Sequence, residues 1–392
     1  MLSGLKILDF STLLPGPYAT MMFADMGADV LRVESASRID LVREMPPFDK
    51  DGLSAAHGYL NRSKRSVTLN LKQAESVDII QSLVANYDIV IEQFRPGVMA
   101  RLGLDYEALK KVKPDLIYCS ITGYGQTGPY RNRPGHDNNY LATAGIMEYS
   151  RRKGQAPPTM GVQIADVAGG SMHAVVGILA AVVHREKTGE GQYIDISMTD
   201  AAFSLNALSG SGYLAGGVEP KPEEMTLNGG TFYDFYETQD GRYFSVGSIE
   251  PPFKKLLCEA VGKPELFEVG MRENAADQAR FKQEITAVFL TRNYEDWLAV
   301  FGEDFEGCVE PVLTYAEACD HPQLQARGMV VDVPKTDGST QRQMATPIKF
   351  SSVGPVYRHV GGNVGAHTEE VLLEQGFSAQ QIVEWQEQGV FS

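Results

Sequence analysis

Short apolar runs alternate along the first half of the chain with stretches whose apolar positions return every three or four residues. Lys6-Ile-Leu-Asp-Phe10 leads into a helical pattern from Pro17 to Gly27, and Asp29-Val-Leu-Arg-Val33 follows. Ser66-Val-Thr-Leu-Asn-Leu71 then precedes a helix from Ala74 to Asn86. Asp88-Ile-Val-Ile-Glu92 and Asp115-Leu-Ile-Tyr-Cys-Ser-Ile-Thr122 are the next runs. Strand and helix alternating at this spacing predict βαβ units around a largely parallel sheet, an α/β fold. Asp166 to Arg185 reads as one long buried helix, stopped at Thr188-Gly-Glu-Gly-Gln192 by glycines.

From about residue 206 the pattern changes. Asn206 to Gly230 is rich in Gly, Pro and Glu and reads as a connection. Tyr243-Phe-Ser-Val-Gly247 reads as a strand, and Pro252 to Val261, Ala275 to Leu290 and Tyr294 to Phe301 read as helices of a smaller mixed α+β domain. A second connection falls at Leu324 to Gly328. The end of the chain, with Met329-Val-Val-Asp-Val333 and Pro347-Ile-Lys-Phe350, is expected to return to the first domain. The expected division is a large domain over residues 1–205, a linker over 206–230, a small domain over 231–323, and a return to the large domain over 324–392.

A chain of 392 residues, 43% hydrophobic and 22% charged, fits a two-domain globular enzyme. Its net charge of −15 argues against nucleic-acid binding and against docking on anionic membranes. Any anionic ligand must therefore meet a local basic patch. Cys119, Cys258, Cys308 and Cys319 form no CxxC pair, which signals neither a zinc site nor a disulfide framework. The N-terminus lacks the basic and apolar regions of a signal peptide, and no apolar run is expected to span a membrane. A cytoplasmic protein is the expectation.

The chemistry concentrates in Gly135-His136-Asp137-Asn138-Asn139-Tyr140 and in Asp166, thirty positions beyond His136. A histidine and a carboxylate at a helix start are two groups able to move protons, and their pairing points to acid/base work on a carbon acid. Each also has an ordinary use: Asp166 as a helix N-cap, His136 as a turn residue. The small Gly169-Gly170-Ser171 turn is expected to leave helix N–H groups open to an oxyanion. His173 and His184 share a helical face, which packing explains without a metal. Gly123-Tyr-Gly-Gln-Thr-Gly128 matches a dinucleotide phosphate loop, but Pro129 and Pro134 stand where the required helix should open, so NAD binding is not expected. Within an acidic chain, Arg38, Arg62, Lys64, Arg65, Lys72, Arg95 and Arg101 form a basic set suited to a phosphate-bearing ligand.

Ordered motifs carry a resemblance that runs almost end to end. They include Leu14-Pro-Gly-Pro17, Asp25-Met-Gly-Ala-Asp-Val-Leu-Arg-Val-Glu34, Asn61-Arg-Ser-Lys-Arg-Ser66, Phe94-Arg-Pro-Gly97 and Thr122-Gly-Tyr-Gly-Gln-Thr-Gly-Pro129. Gly177-Ile-Leu-Ala-Ala181, Gly189-Glu-Gly-Gln192, Asp240-Gly-Arg-Tyr243 and Gly247-Ser-Ile-Glu-Pro-Pro-Phe253 continue it. The chain resembles the family III coenzyme A transferases and α-methylacyl-CoA racemases, and within them the racemase side.

That resemblance implies a Rossmann-like large domain, a smaller domain, and two chains interlocked as a homodimer. It implies an acyl-CoA thioester as substrate, a place in lipid metabolism, and no cofactor beyond the coenzyme A of the substrate. Leu69, Asn70, Leu71 and Lys72 match the segment that holds the adenine, and Arg95 a residue on a CoA phosphate. Gly123, Tyr124, Gly135, Asp137 and Tyr140 fall in segments along the thioester arm. Asp166 matches the family's carboxylate, a nucleophile in the transferases and a base in the racemases. His136 matches the racemases' partner base, and Glu250 a carboxylate that supports proton transfer. Ser35 stands where an arginine is common, with Arg38 as its substitute, while Asn138 and Ala168 depart from an aliphatic residue and a glycine. The implied activity is inversion of a 2-methylacyl-CoA at C2. The alternatives are CoA transfer through an Asp166 anhydride and a CoA-binding paralogue without turnover.

Overall fold

Six short strands form the frame of the molecule, the first five mostly buried and the last, an edge strand, partly exposed: β1 Lys6–Asp9, β2 Asp29–Glu34, β3 Arg65–Thr68, β4 Ile89–Glu92, β5 Ile117–Thr122 and β6 Tyr193–Ser197. The apolar runs of the first five suit strands covered on both faces. They pair in the order β3-β2-β1-β4-β5-β6, every pair parallel, so the expected parallel sheet is present. The order reverses between β1 and β4, where the C-terminal strand ends of such a sheet leave a crevice for a ligand.

Helix α1, Pro15–Asp25, follows β1 with prolines in its first turn, where their missing N–H costs nothing. Helix α2, Ala74–Asn86, buries Ser76, Ile79, Ile80, Leu83 and Val84, the three-and-four spacing read from the sequence. These side chains pack with Leu8, Leu31, Val67 and Val90 of the strands. Beyond β5 come α3, Asp137–Thr143, and α4, Ala165–Thr188, with α5, Met198–Ser204, directly after β6. By length and composition α4, with a mean hydropathy of 1.7, could cross a bilayer, contrary to the sequence expectation. Its Ala174, Val175, Ile178, Ala181 and Val182 are buried within the protein.

The computed structural model describes residues 1–392, which form two compact units. The first comprises Met1–Ala144, Met160–Leu205 and Gln323–Ser392; the second comprises Gly145–Thr159 and Asn206–Pro322. In the first, Val330–Pro334 and Thr340–Met344 pair as an antiparallel hairpin, while Pro347–Phe350 forms no strand. The second holds an antiparallel sheet of Asp234–Glu237, Tyr243–Val246 and Val309–Pro311 beside helices Pro251–Ala260, Ala275–Phe289 and Tyr294–Val300. Trp297, Phe244, Phe281 and Phe289 lie in its core. The stretch read as a plain connection contains a helix, Ser209–Gly216. Farther along it, Glu223 binds Arg152 at 3.0 Å and Asn228 binds the Tyr149 carbonyl at 3.0 Å.

The strand expected to run on to Leu71 ends at Thr68, opposite the end of β2. Leu69 N–H still donates to the Glu34 carbonyl of that strand at 2.9 Å, but Asn70 N–H turns to the Val390 carbonyl at 2.7 Å.

Candidate active site

Asp166 sits one residue into α4, on a stretch wound more widely than an α-helix. Ala165–Met172 is a π-helix, a form found often at functional positions, and His173–Thr188 continues as α-helix. Small residues allow this segment its close packing. A side chain on Gly169 would begin 3.2 Å from the Met198 carbonyl oxygen, and one on Gly170 only 3.1 Å from Pro15 Cβ. Ser171 donates to the Pro15 carbonyl at 2.7 Å. His173 Nδ1 donates to the Ala168 carbonyl five residues back at 2.8 Å, so this ring is committed to its own helix.

Asp166 is therefore no N-cap. Its carboxylate has neither a hydrogen bond nor an ion pair, while its backbone N–H donates to Asp137 Oδ1 at 3.0 Å. Burial pushes the Asp166 carboxyl up to about 6, and the nearby Asp137 carboxylate adds to the rise. A half-buried acid without a cation, titrating near neutrality, is the kind of group acid/base chemistry uses. The expected oxyanion donors are in part already occupied: Asp166 N–H binds Asp137, and Val167 N–H binds the Gln163 carbonyl at 3.0 Å.

His136 stands immediately before α3 in extended backbone, and its own N–H donates to Asn139 Oδ1 at 2.9 Å. Its ring is exposed, whereas the next residue, Asp137, is buried and bonded to the head of α4. One peptide step thus joins the imidazole to the residue that holds Asp166.

Tyr140 fixes the wall beside them. Its hydroxyl donates to the Gly135 carbonyl, and its ring lies against Gly123 and Gly135, where an added Cβ would stand 2.5 Å and 2.6 Å from Tyr140 Cε1. The two glycines are needed for this approach. Tyr124 meets Tyr140 edge-on with centroids 5.3 Å apart, and Tyr130 meets Tyr124 at 5.6 Å. The glycine-rich loop is a turn held to the sheet edge. Thr199 Oγ1 donates to the Gly123 carbonyl at 2.7 Å, and Gln126 N–H donates to Asp195 at 3.0 Å. No helix opens behind it.

The basic set divides. Arg62 is fully buried, its Nε donating to Asp25 Oδ1 at 2.8 Å. Lys64 is buried against Asp9 at 3.4 Å, and Arg65 spans Asp29 and Glu374 at 3.0 and 2.7 Å. These three hold the first unit together and leave the expected phosphate patch. Arg38, Lys72, Arg95 and Arg101 remain exposed. Arg38 N–H donates to Ser35 Oγ at 3.2 Å. Leu69 is a core side chain, Leu71 packs on the same core, and Asn70 Oδ1 accepts Lys72 N–H at 3.2 Å.

Glu250 belongs to the second unit, exposed just ahead of helix Pro251–Ala260. In that unit Gly247 N–H donates to the Cys308 carbonyl at 2.8 Å. Burial chiefly, with the Glu250 carboxylate second, raises the Cys308 thiol.

A sequence model of CoA-transferase family III matches residues 2–368. The chain is 33% identical to the alpha-methylacyl-CoA racemase of Mus musculus over 98% of this chain and 96% of that protein. It is 35% identical to the succinyl-CoA:mesaconate CoA-transferase of Haloarcula hispanica over 96% of each. The crystal structure of a CAIB/BAIF family protein from Brucella suis superimposes with a TM-score of 0.82 at 31% identity, covering 95% of this chain and 99% of that one.

Proposed function

We propose that this chain, which belongs to CoA-transferase family III, inverts the C2 centre of a 2-methylacyl-CoA thioester by moving one proton through an enolate. The observation that carries the reading is the link from His136 through Asp137 to Asp166. It brings two proton carriers of different chemical type to adjoining elements and leaves the Asp166 carboxylate uncommitted. One base takes the C2 proton and its electron pair moves into the thioester carbonyl. The other base, already protonated, returns a proton to the opposite face. The thioester supplies the acidity, so the reaction calls for no metal or organic cofactor, and coenzyme A arrives as part of the substrate.

In this reading Arg38 and Arg95 meet the phosphates of CoA and the segment from Leu69 to Lys72 holds its adenine. Gly123, Tyr124, Gly135 and Tyr140 border the thioester arm, and Glu250 assists proton transfer. Asp137 serves by holding Asp166. The working assembly is an interlocked homodimer in the cytoplasm. The exposed apolar residues Met172, Val176 and Val183 of α4 are a face that a second copy would cover.

One observation favours a second reading. A carboxylate free of hydrogen bonds is also suited to attack a thioester, which would make the protein a CoA-transferase. Asp166 would then pass through an acyl anhydride and an aspartyl-CoA thioester. The test is hydroxylamine during turnover together with His136→Ala. The racemase leaves no hydroxamate on Asp166 and loses inversion in the variant. The transferase yields the hydroxamate and tolerates the substitution.

A further inference from the structure

Between the end of β3 at Thr68 and the start of α2 at Ala74 the chain has left the sheet, and its shape is set by residues from far along the sequence. Asn70 is the hub of this stretch. Its N–H donates to the Val390 carbonyl at 2.7 Å, its Oδ1 accepts Lys72 N–H at 3.2 Å, and its carbonyl accepts Gln73 N–H at 2.9 Å. The last two bonds close a local turn; the first ties that turn to the rest of the fold.

Val390 is itself firmly placed. Helix Ala379–Glu387 ends in a turn where Gly389 takes a φ of +76°, and Val390 N–H donates back to the Trp385 carbonyl at 3.0 Å. Val390 and Phe391 are buried in one core with Leu69, Val371, Leu372 and Ile382, and Leu71 packs on the same core. Side chains alternate along an extended segment. Leu69 and Leu71 therefore go inward onto this core, while Asn70 stays half-buried and Lys72 exposed. The bond from Asn70 to Val390 joins two backbone groups, so its geometry depends on how well the apolar side chains around Val390 and Phe391 are packed.

We propose that Val390 and Phe391 are positioning residues for nucleotide recognition: by fixing Asn70 they set the shape in which Leu69 to Lys72 meets the adenine of coenzyme A. This rests on the reading of that segment as the adenine contact. The link reaches the nucleotide end of the ligand only, so its loss weakens that end and leaves the contribution of the thioester arm unchanged.

The test uses the full-length protein with two probes, coenzyme A and adenosine 3′,5′-bisphosphate, which is its nucleotide end alone. In the wild type the bisphosphate should slow amide hydrogen exchange over residues 69–73. In Phe391→Ala, calorimetric titration should show the bisphosphate bound about tenfold more weakly and coenzyme A weaker by the same factor, since the arm's share is untouched. Exchange over 69–73 that does not respond to the bisphosphate in the wild type would overturn the adenine reading beneath the inference. A protected segment with wild-type affinity for the bisphosphate in Phe391→Ala would overturn the inference alone. So would a loss for coenzyme A clearly larger than that for the bisphosphate, the sign of general loosening. If Phe391→Ala does not fold, Gly389→Ala takes its place: its methyl strains the left-handed turn that delivers Val390, and about a threefold loss on both probes is expected.

Discussion

The Asp166 backbone N–H donates to the Asp137 carboxylate at 3.0 Å across 29 residues of sequence, so the like charge beside the Asp166 carboxyl also anchors its backbone. Asp137→Asn keeps an acceptor and removes the charge. Burial is the larger cause of the raised Asp166 carboxyl and Asp137 the second, so the substitution should lower it without returning it to an ordinary value. In the direction in which Asp166 takes the proton, the rate rises with pH as that acid ionises. The acid limb of kcat/KM, expected at about 6 in the wild type, should therefore move to lower pH. A limb that stays in place would remove Asp137 from this role.

Asp166 should also cost stability, in a defined pH window. Its folded value of about 6 lies above the ordinary aspartate value of 3.8, so the folded state disfavours the ionised form. The penalty is absent below the unfolded value, grows as pH rises, and is complete above the folded one. Asp166→Asn should be the more stable protein at pH about 8 by about 1–2 kcal/mol, allowing for partial exposure, with the gain vanishing near pH about 4. Thermal unfolding of both proteins at the two pH values checks this.

Burial raises the Asp25 carboxyl as well, against the pull of Arg62, which grips it at 2.8 Å and also donates to the Met344 carbonyl at 2.6 Å. Arg62→Ala leaves Asp25 buried without its counter-charge and should lower the unfolding free energy by about 3–5 kcal/mol. Urea denaturation measures it. A loss under about 1 kcal/mol, the size of an exposed pair, would put Arg62 back among the ligand-binding cations.

These cases mark where the sequence is legible. Strands such as Asp29 to Val33 and the helix from Ala74 to Asn86 show in the sequence because their apolar period follows the faces they bury. His136 and Asp166 show because their chemistry is rare at such positions, and the family likeness because its motifs keep their order. What stays hidden depends on partners far away in the chain. Arg62 and Lys64 look like surface charges until Asp25 and Asp9 fold onto them. The wide turn at Ala165–Met172 comes from packing on Met198 and Pro15, which no local pattern encodes. Glu92 reads only as the end of a strand until Ser120 and Phe94 meet it.

Tyr140 tests the wall of the site. Gly135→Ala places a methyl 2.6 Å from its ring edge, and Gly123→Ala places one 2.5 Å away, closer than carbon atoms pack. Each variant should lose about 1–3 kcal/mol of stability and displace the ring. The displacement should raise KM for acyl-CoA more than the double variant with Tyr140→Ala does, since that change clears the clash. Equal KM values for the single and double variants would show that the ring does not border the thioester arm.

On the racemase reading this protein moves a proton at C2 and not the CoA group. One enantiomer of a 2-methylacyl-CoA, incubated with the protein in D2O without an acceptor acid, tests it most directly. Deuterium at C2 together with progress towards the racemate, and no free acid, is the expected result. A substrate that keeps its C2 proton and its configuration, and surrenders CoA only when an acceptor acid is added, would contradict it.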